Sequence, residues 1–210
     1  MPEPFRTLTA VALVLLRDNI DTDAIIPSRE IGSVTKVGLA AGLFANWRYL
    51  NPDERVPDAT FVLNDPAYRG AHILITGENF GCGSSREQAV WALHEYGVRA
   101  ILAGSFNAIF YRNCLRNGVL PGQLERAALE QIARWVAQNP QRNQIEIDLS
   151  RRTVLAGARE WSFKIEEDAQ TGLLQGLDEI EQTLRFSEQI NAFRNADVVL
   201  RPWVYGLELP

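Results

Sequence analysis

Cysteine is scarce. Only Cys82 and Cys114 occur in 210 residues, too few for the disulfide framework of a small secreted fold. Two thiols also fall short of the three or four that hold an iron–sulfur cluster. Histidine is as rare, with only His72 and His94, and neither stands at a zinc-like spacing from a cysteine. No metal-ligand set is therefore read from this sequence, and any metal centre the protein works with must take its ligands from another chain. Lysine occurs only at Lys36 and Lys164, so Arg carries nearly all of the positive charge. The formal net charge is -5, which gives no electrostatic reason to expect nucleic acid or an anionic membrane as partner. Long apolar runs are missing too. The run 10–16 is ended by Arg17 and Asp18, too soon for a membrane span. The first residues lack the basic n-region and cleavage pattern of a signal peptide, so the expectation is a cytoplasmic protein.

What remains suits a globular chain: 46% hydrophobic residues and enough length for one domain with a real core. There is no internal repeat, low-complexity tract or linker. Residues 9–16, 71–76 and 98–103 are short apolar runs that read as strands covered on both faces. Residues 88–94, 107–116 and 124–138 read as helices, the second closed by Asn117-Gly118 and the third by Asn139-Pro140. Residues 27–37 stay ambiguous, 37–44 read as a short helix, 51–58 as a surface loop and 61–63 as a brief strand. Residues 145–149 alternate strictly, and 153–155 and 161–165 extend them as an antiparallel set turning near Ala156-Gly157. Residues 178–184 and 187–196 read as helices. Strands alternating with helices, followed by an antiparallel group, imply an α/β domain with a mixed sheet.

The stretch richest in chemistry is Gly77-Glu78-Asn79-Phe80-Gly81-Cys82-Gly83-Ser84-Ser85-Arg86-Glu87. It joins an expected strand to an expected helix, a geometry that aims backbone N–H groups at an anion. Its glycines allow a tight turn and close approach of a ligand. Ser84 and Glu87 have the spacing of a capping box, which would put Ser84 at or beside the N-cap. Arg86 offers a planar fork suited to a carboxylate. A carboxylate or phosphate site is one reading; on spacing alone, a helix capped by Ser84 with Arg86 as a solvated charge is an equal one. A P-loop fits poorly because no Gly-Lys-Ser/Thr closes the run. A dinucleotide fingerprint fits poorly because the glycines fall at 77, 81 and 83. Asn19-Ile20-Asp21-Thr22-Asp23 is a polar turn whose plain reading is an Asx-type turn. It lacks the Gly and final Glu of an EF-hand loop.

Asn79-Phe80-Gly81-Cys82-Gly83-Ser84-Ser85-Arg86-Glu87 resembles the signature of 3-isopropylmalate dehydratase small subunits, in the aconitase superfamily. Asn19-Ile20-Asp21-Thr22-Asp23-Ala24-Ile25-Ile26-Pro27 resembles that family's N-terminal motif. Gly42-Leu43-Phe44-Ala45-Asn46-Trp47-Arg48-Tyr49 and Ser105-Phe106-Asn107-Ala108-Ile109-Phe110-Tyr111-Arg112-Asn113 resemble later blocks, in the family's order. The resemblance covers residues 13–195, with 196–210 as a C-terminal tail. It implies a single domain over 1–210: the swivelling β/β/α fold, with a mixed, partly barrel-like sheet flanked by helices. It also implies a hydro-lyase subunit that interconverts 2-isopropylmalate and 3-isopropylmalate by dehydration and rehydration in leucine biosynthesis. Such a chain is active only with a large subunit, in a heterodimer or larger assembly. That partner would carry the four-iron–four-sulfur cluster as Lewis acid, none being bound by this chain. The remaining partner is a small dicarboxylate substrate.

Carried over position by position, Ser84 matches the catalytic base, its alkoxide stabilised by helix amides and the adjacent Arg. Arg86 matches the group that binds a substrate carboxylate, and Ser85 the neighbouring hydroxyl of the same pocket. Asp23 matches an acidic residue that supports an active-site histidine, here to come from the partner. Asp21 remains a turn carboxylate, Cys82 a small turn residue and Cys114 a core residue, and His72 and His94 are read as structural. Two departures stand out. Gln88-Ala89-Val90 replaces the family's His-Ala-Pro, and Lys36-Val37-Gly38 replaces Arg-Thr-Gly in the loop that touches the variable side group of the substrate. Lys36 and Val37 are thus a candidate substrate-recognition loop. Its departure keeps open a paralogous hydro-lyase for citraconate, dimethylmaleate or homoaconitate. A non-catalytic carboxylate-binding module is the alternative from a different class.

Overall fold

A computed structural model of the chain describes residues 3–32 and 36–206. They form two compact units, one through Gly176 and one from Leu177 onward. The first unit opens with an apolar run that changes sheet in mid-course: β1 (Thr7–Ala10) and β2 (Ala12–Leu15) are separated only by Val11. There follow α1 (Thr22–Ile25), a 3-10 turn at Leu39–Gly42, α2 (Ala45–Arg48) and a ribbon of β3 (Tyr49–Asn51) with β4 (Val56–Pro57). Three strand–helix pairs come next. They are β5 (Ile73–Thr76) with α3 (Glu87–Tyr96), β6 (Ala100–Ala103) with α4 (Ala108–Arg116), and β7 (Leu120–Gln123) with α5 (Arg126–Gln138). β8 (Ile145–Asp148), β9 (Thr153–Ala156) and β10 (Arg159–Ser162) make an antiparallel meander, and α6 (Glu167–Gln175) ends the unit.

Two four-stranded sheets result. β2-β5-β6-β7 is parallel and β1-β8-β9-β10 antiparallel. β1 and β2 are one run of chain, which joins the sheets along one edge. At the other edge Gln123 of β7 bridges to Lys164, two residues beyond β10. The expected mixed, partly barrel-like sheet flanked by helices is therefore present. Residues along the parallel strands alternate between two apolar clusters. Leu13, Leu74 and Ile101 pack with Val90 and Leu93 of α3 and Phe110 and Cys114 of α4. Ala12, Ile73, Ile75 and Leu102 pack with Leu129, Ile132 and Val136 of α5 and with Ile145, Ile147 and Val154 of the meander. Burial on both faces is why these strands read as unbroken apolar runs. Each fully buried Leu or Ile contributes about 1.5–3 kcal/mol.

Several expectations are corrected. The single strand over 9–16 is two strands, because the chain leaves one sheet for the other at Val11. The strand at 61–63 is a 3-10 turn, Val62–Asn64, bent where the Asn64 amide donates to Arg48 O and Asp58 O. The short helix at 37–44 shrinks to Leu39–Gly42, since Gly38 (φ 91) and Phe44 (φ 52) are both left-handed and stop helical backbone. Pro121 sits inside β7, which is tolerated at the edge of a sheet.

The second unit holds α7 (Glu179–Leu184), opened by a capping box of Asp178 and Glu181, and α8 (Ser187–Leu200). α8 runs past 196 into the expected tail, where Asp197 accepts hydrogen bonds from Arg201 at 2.7 and 2.8 Å and from Tyr205 at 3.0 Å. Residues 207–210 of that tail, and 33–35 of the ambiguous 27–37 stretch, lie outside the described residues. Among the described residues no helix is long and apolar enough to cross a membrane.

Candidate active site

Loops leaving the carboxyl ends of β2, β5 and β6 meet at one place, the end of a parallel sheet where ligands commonly bind. They prolong the sheet in irregular form. Asp21 bridges to Cys82, and Phe80 to Phe106. Gly81 N donates to Ile20 O at 2.8 Å, Thr22 N to Cys82 O at 2.9 Å and Asn107 N to Phe80 O at 3.0 Å. Asn19 (φ 57) and Asn79 (φ 55) both take left-handed backbone, and the Asn79 amide donates to the Asn19 side chain at 2.8 Å. Asparagine tolerates that conformation better than other residues with a Cβ. Gly81 (φ 73) has no alternative, because a Cβ there would lie 2.1 Å from the Phe110 ring.

This framework holds Ser84 by its backbone. The Ser84 carbonyl accepts from Thr22 Oγ1 at 2.8 Å and from Arg86 N at 2.8 Å. Ser84 and Ser85 are exposed, and among the described residues neither hydroxyl has a hydrogen-bond partner. The expected Ser84 capping box is not formed. Arg86 is the N-cap of α3, with no side-chain cap bond. The Glu87 carboxylate accepts instead from Trp91 Nε1 at 3.3 Å and Asn117 Nδ2 at 2.9 Å. The physical reason is the bound Ser84 carbonyl, which keeps Ser84 two residues ahead of the N-cap. The serine therefore stands free beside an uncapped helix start.

Asp23 and Arg86, to which the resemblance assigns separate roles, are an ion pair across 63 positions. Their side chains are 56% and 21% exposed. Arg86 also donates to Ile26 O at 3.3 Å, and Ser28 Oγ donates to Asp23 at 3.5 Å. Asp21 behaves as the turn carboxylate it was read to be, accepting from Ala24 N at 2.7 Å as the N-cap of α1. Among the described residues Lys36 forms no hydrogen bond with Ser84, Ser85 or Arg86. Its ammonium lies 5.0 Å over the Trp91 ring and 3.3 Å from Asn117 Oδ1, on the flank of α3. Val37 is 79% exposed. The side chain of Gln88, half-buried in the first turn of α3, has no hydrogen-bond partner among the described residues.

The thiols are poised for packing rather than chemistry. Burial pushes the Cys82 thiol up, and the Asp21 charge adds to that. Cys114 is wholly buried, and desolvation raises it well above the ordinary value. Among the described residues no group of three or more His, Cys, Asp or Glu side chains is placed to hold a metal ion. A cleft of about 420 Å³ lies elsewhere, between α5 and the β9–β10 hairpin, lined by Arg134, Trp135, Arg159 and Trp161 among others. None of the site residues lines it. Sequence reasoning missed Thr22, whose buried hydroxyl fixes the Ser84 carbonyl. The polar turn around it was the available signal.

The Aconitase C-terminal domain model matches residues 3–127. A Cupriavidus necator protein named 3-isopropylmalate dehydratase small subunit is 52% identical over 205 residues, covering 97% of this chain and 98% of that protein. A protein of the same name from Bacillus cytotoxicus is 45% identical over 193 residues, covering 92% and 97%. The crystal structure of 3-isopropylmalate dehydratase (LeuD) from Methanocaldococcus jannaschii aligns with TM-score 0.62 and 25% identity, over 90% of this chain and 99% of that one. The run that leaves Ser84 exposed thus lies inside the matched domain, and the chain belongs to the family of 3-isopropylmalate dehydratase small subunits.

Proposed function

We propose that this chain is the small subunit of a cytoplasmic 3-isopropylmalate dehydratase, a hydro-lyase of leucine biosynthesis that works only with a large subunit. One observation carries the reading: Ser84 and Ser85 present unpartnered hydroxyls beside the uncapped start of α3 and the Arg86 guanidinium. A serine is too weak a base unless its alkoxide is stabilised. Amides of a helix start and a neighbouring guanidinium supply that stabilisation. In this reading the Ser84 alkoxide takes the proton from the carbon beside a substrate carboxylate. The freed electron pair closes the carbon–carbon double bond as hydroxide leaves the adjacent carbon, and rehydration reverses the step with the opposite regiochemistry. Arg86 grips a carboxylate with Ser85, while Asp23 and Ile26 O set its direction. Asp23 is also placed to support a histidine from the partner. Lys36 and Val37 form the loop facing the variable side group.

Two thiols, one of them wholly buried, do not fit an iron–sulfur cluster in this chain. A four-iron–four-sulfur cluster belongs, on this proposal, to the large subunit. The test is to mix the chain with its large subunit under anaerobic conditions with iron and sulfide and follow isopropylmaleate absorbance. Activity is expected from the mixture and none from either chain alone. Full activity from this chain by itself, or none from the assembled pair, would refute the reading.

A further inference from the structure

The last turn of α3 reaches the loop that precedes the Leu39–Gly42 turn. Glu95 Oε1 accepts from Gly38 N at 2.6 Å and Glu95 Oε2 from Ala40 N at 2.8 Å. Gly38 is the N-cap of that 3-10 turn and, being glycine, offers it no side-chain cap. Glu95 thus supplies from another element what a capping side chain normally supplies locally. The Gly38 amide, ahead of the other contributions, holds the Glu95 carboxyl below its ordinary range. A negative charge in the last turn of a helix opposes the helix dipole, so α3 itself gains nothing from a glutamate there. The carbonyls of the same turn are held by other side chains. Arg48 Nη1 donates to Ala40 O at 2.9 Å, and Ala41 O accepts from Tyr49 OH at 2.9 Å and Arg55 Nη1 at 2.5 Å. Upstream, the stacking of Lys36 on Trp91, one helical turn before Glu95, fixes the loop to the same face of α3.

We infer that Glu95 is a positioning residue for substrate recognition: by tying Gly38 and Ala40 to α3, it sets where Lys36 and Val37 stand against the side group of the substrate. The inference rests on the reading of that loop given under the proposed function. α3 then connects both tasks, with the proton acceptor just ahead of its N-cap and the anchor of the recognition loop in its last turn. Val37, apolar and exposed, matches a branched alkyl group, whose transfer out of water is favourable.

Two measurements test this on the full chain. The first is hydrogen exchange over 36–42 in the small subunit alone. The second is kcat and KM of the assembled enzyme on 3-isopropylmalate and on its methyl-bearing analogue. Glu95→Ala is expected to speed exchange at Gly38 and Ala40. It is expected to raise KM for the isopropyl substrate about tenfold, the equivalent of one charge-assisted hydrogen bond, with kcat within about twofold. The preference for isopropyl over methyl should narrow, and Glu95→Gln, with one acceptor left, should fall between. Unchanged exchange, or an unchanged KM and preference while kcat and melting temperature fall together, would overturn the inference. A wild-type assembly inert on both substrates would instead sink the functional reading and the loop's role with it. Faster exchange in Glu95→Ala would even then establish the anchor.

Discussion

α3 and α4 begin alike, each after a parallel strand and a loop at the same end of the sheet, but their first turns are finished differently. At α4, Asn107 Oδ1 accepts from Ile109 N at 3.0 Å and Phe110 N at 3.4 Å. At α3, Arg86 stands at the N-cap without a side-chain bond, and the Glu87 and Gln88 amides have no partner among the described residues. Leaving out an Asn or Ser cap costs about 1 kcal/mol. A chain that caps one helix and leaves its neighbour open has given up that stability beside two exposed hydroxyls and a guanidinium. Open amides in that company suit an anion. The lesson is that an uncapped helix can be informative when a capped one of the same construction lies next to it.

Substitutions at the two starts should therefore separate. Ser84→Ala is expected to lower kcat of the assembled enzyme by about 10²–10⁴, the usual worth of a positioned proton acceptor. Its stability should shift by no more than about 0.5 kcal/mol, because the hydroxyl lost is exposed and unpaired. A clear fall in melting temperature would mean that Ser84 serves its helix as Asn107 serves α4. Next in size is Arg86→Lys. Trading a planar fork for a point charge should cost about 10- to 100-fold in kcat/KM, mostly in KM. An unchanged KM would show that the guanidinium is occupied by Asp23 and never reaches substrate. Asn107→Ala inverts the pattern. It should remove about 1 kcal/mol of stability, read by denaturant unfolding, and leave kcat of the assembled enzyme within about twofold.

The sequence disclosed the parts of this arrangement that burial imprints locally. Residues 71–76 and 98–103 read as strands because both faces are covered, and the helices at 107–116 and 124–138 carry strong apolar periodicity. The signature run lies where the loops after β2, β5 and β6 converge. What stayed hidden depends on partners distant in sequence. Nothing local marks Val11 as the point where one run serves two sheets. The helix Glu167–Gln175 went unread because Gly172, buried in its interior, weakens the helical pattern. Asp23 reads as part of a polar turn and Arg86 as a carboxylate fork or a solvated charge, and only the fold makes them a pair. Nothing local singles out Glu95, since its two amide partners lie 57 and 55 positions away. The Ser84 capping box was the instructive misreading, because its spacing was right and the chain spent the carbonyl on Thr22 instead.

The smallest expected effect concerns the far end of α3, where His94 lies and α4 has Arg116. Burial pushes the His94 imidazole below its ordinary 6.5, and the charges of Arg99 and Lys36 push the same way, against a smaller opposing effect of Glu3. The helix C-terminus would by itself favour the cation, so burial outweighs it. With the folded value depressed, the unfolded chain binds more protons in the window between that value and 6.5. The stability contributed by neutral His94 is thus full above 6.5 and is lost as pH falls through the folded value. Melting temperature should decline as pH falls below 6.5, and His94→Gln should flatten that slope. Hydrogen exchange should show the acid-induced opening in α3 before α4. Equal opening in both helices, or a slope that survives His94→Gln, would mean that the two differ only at their first turns.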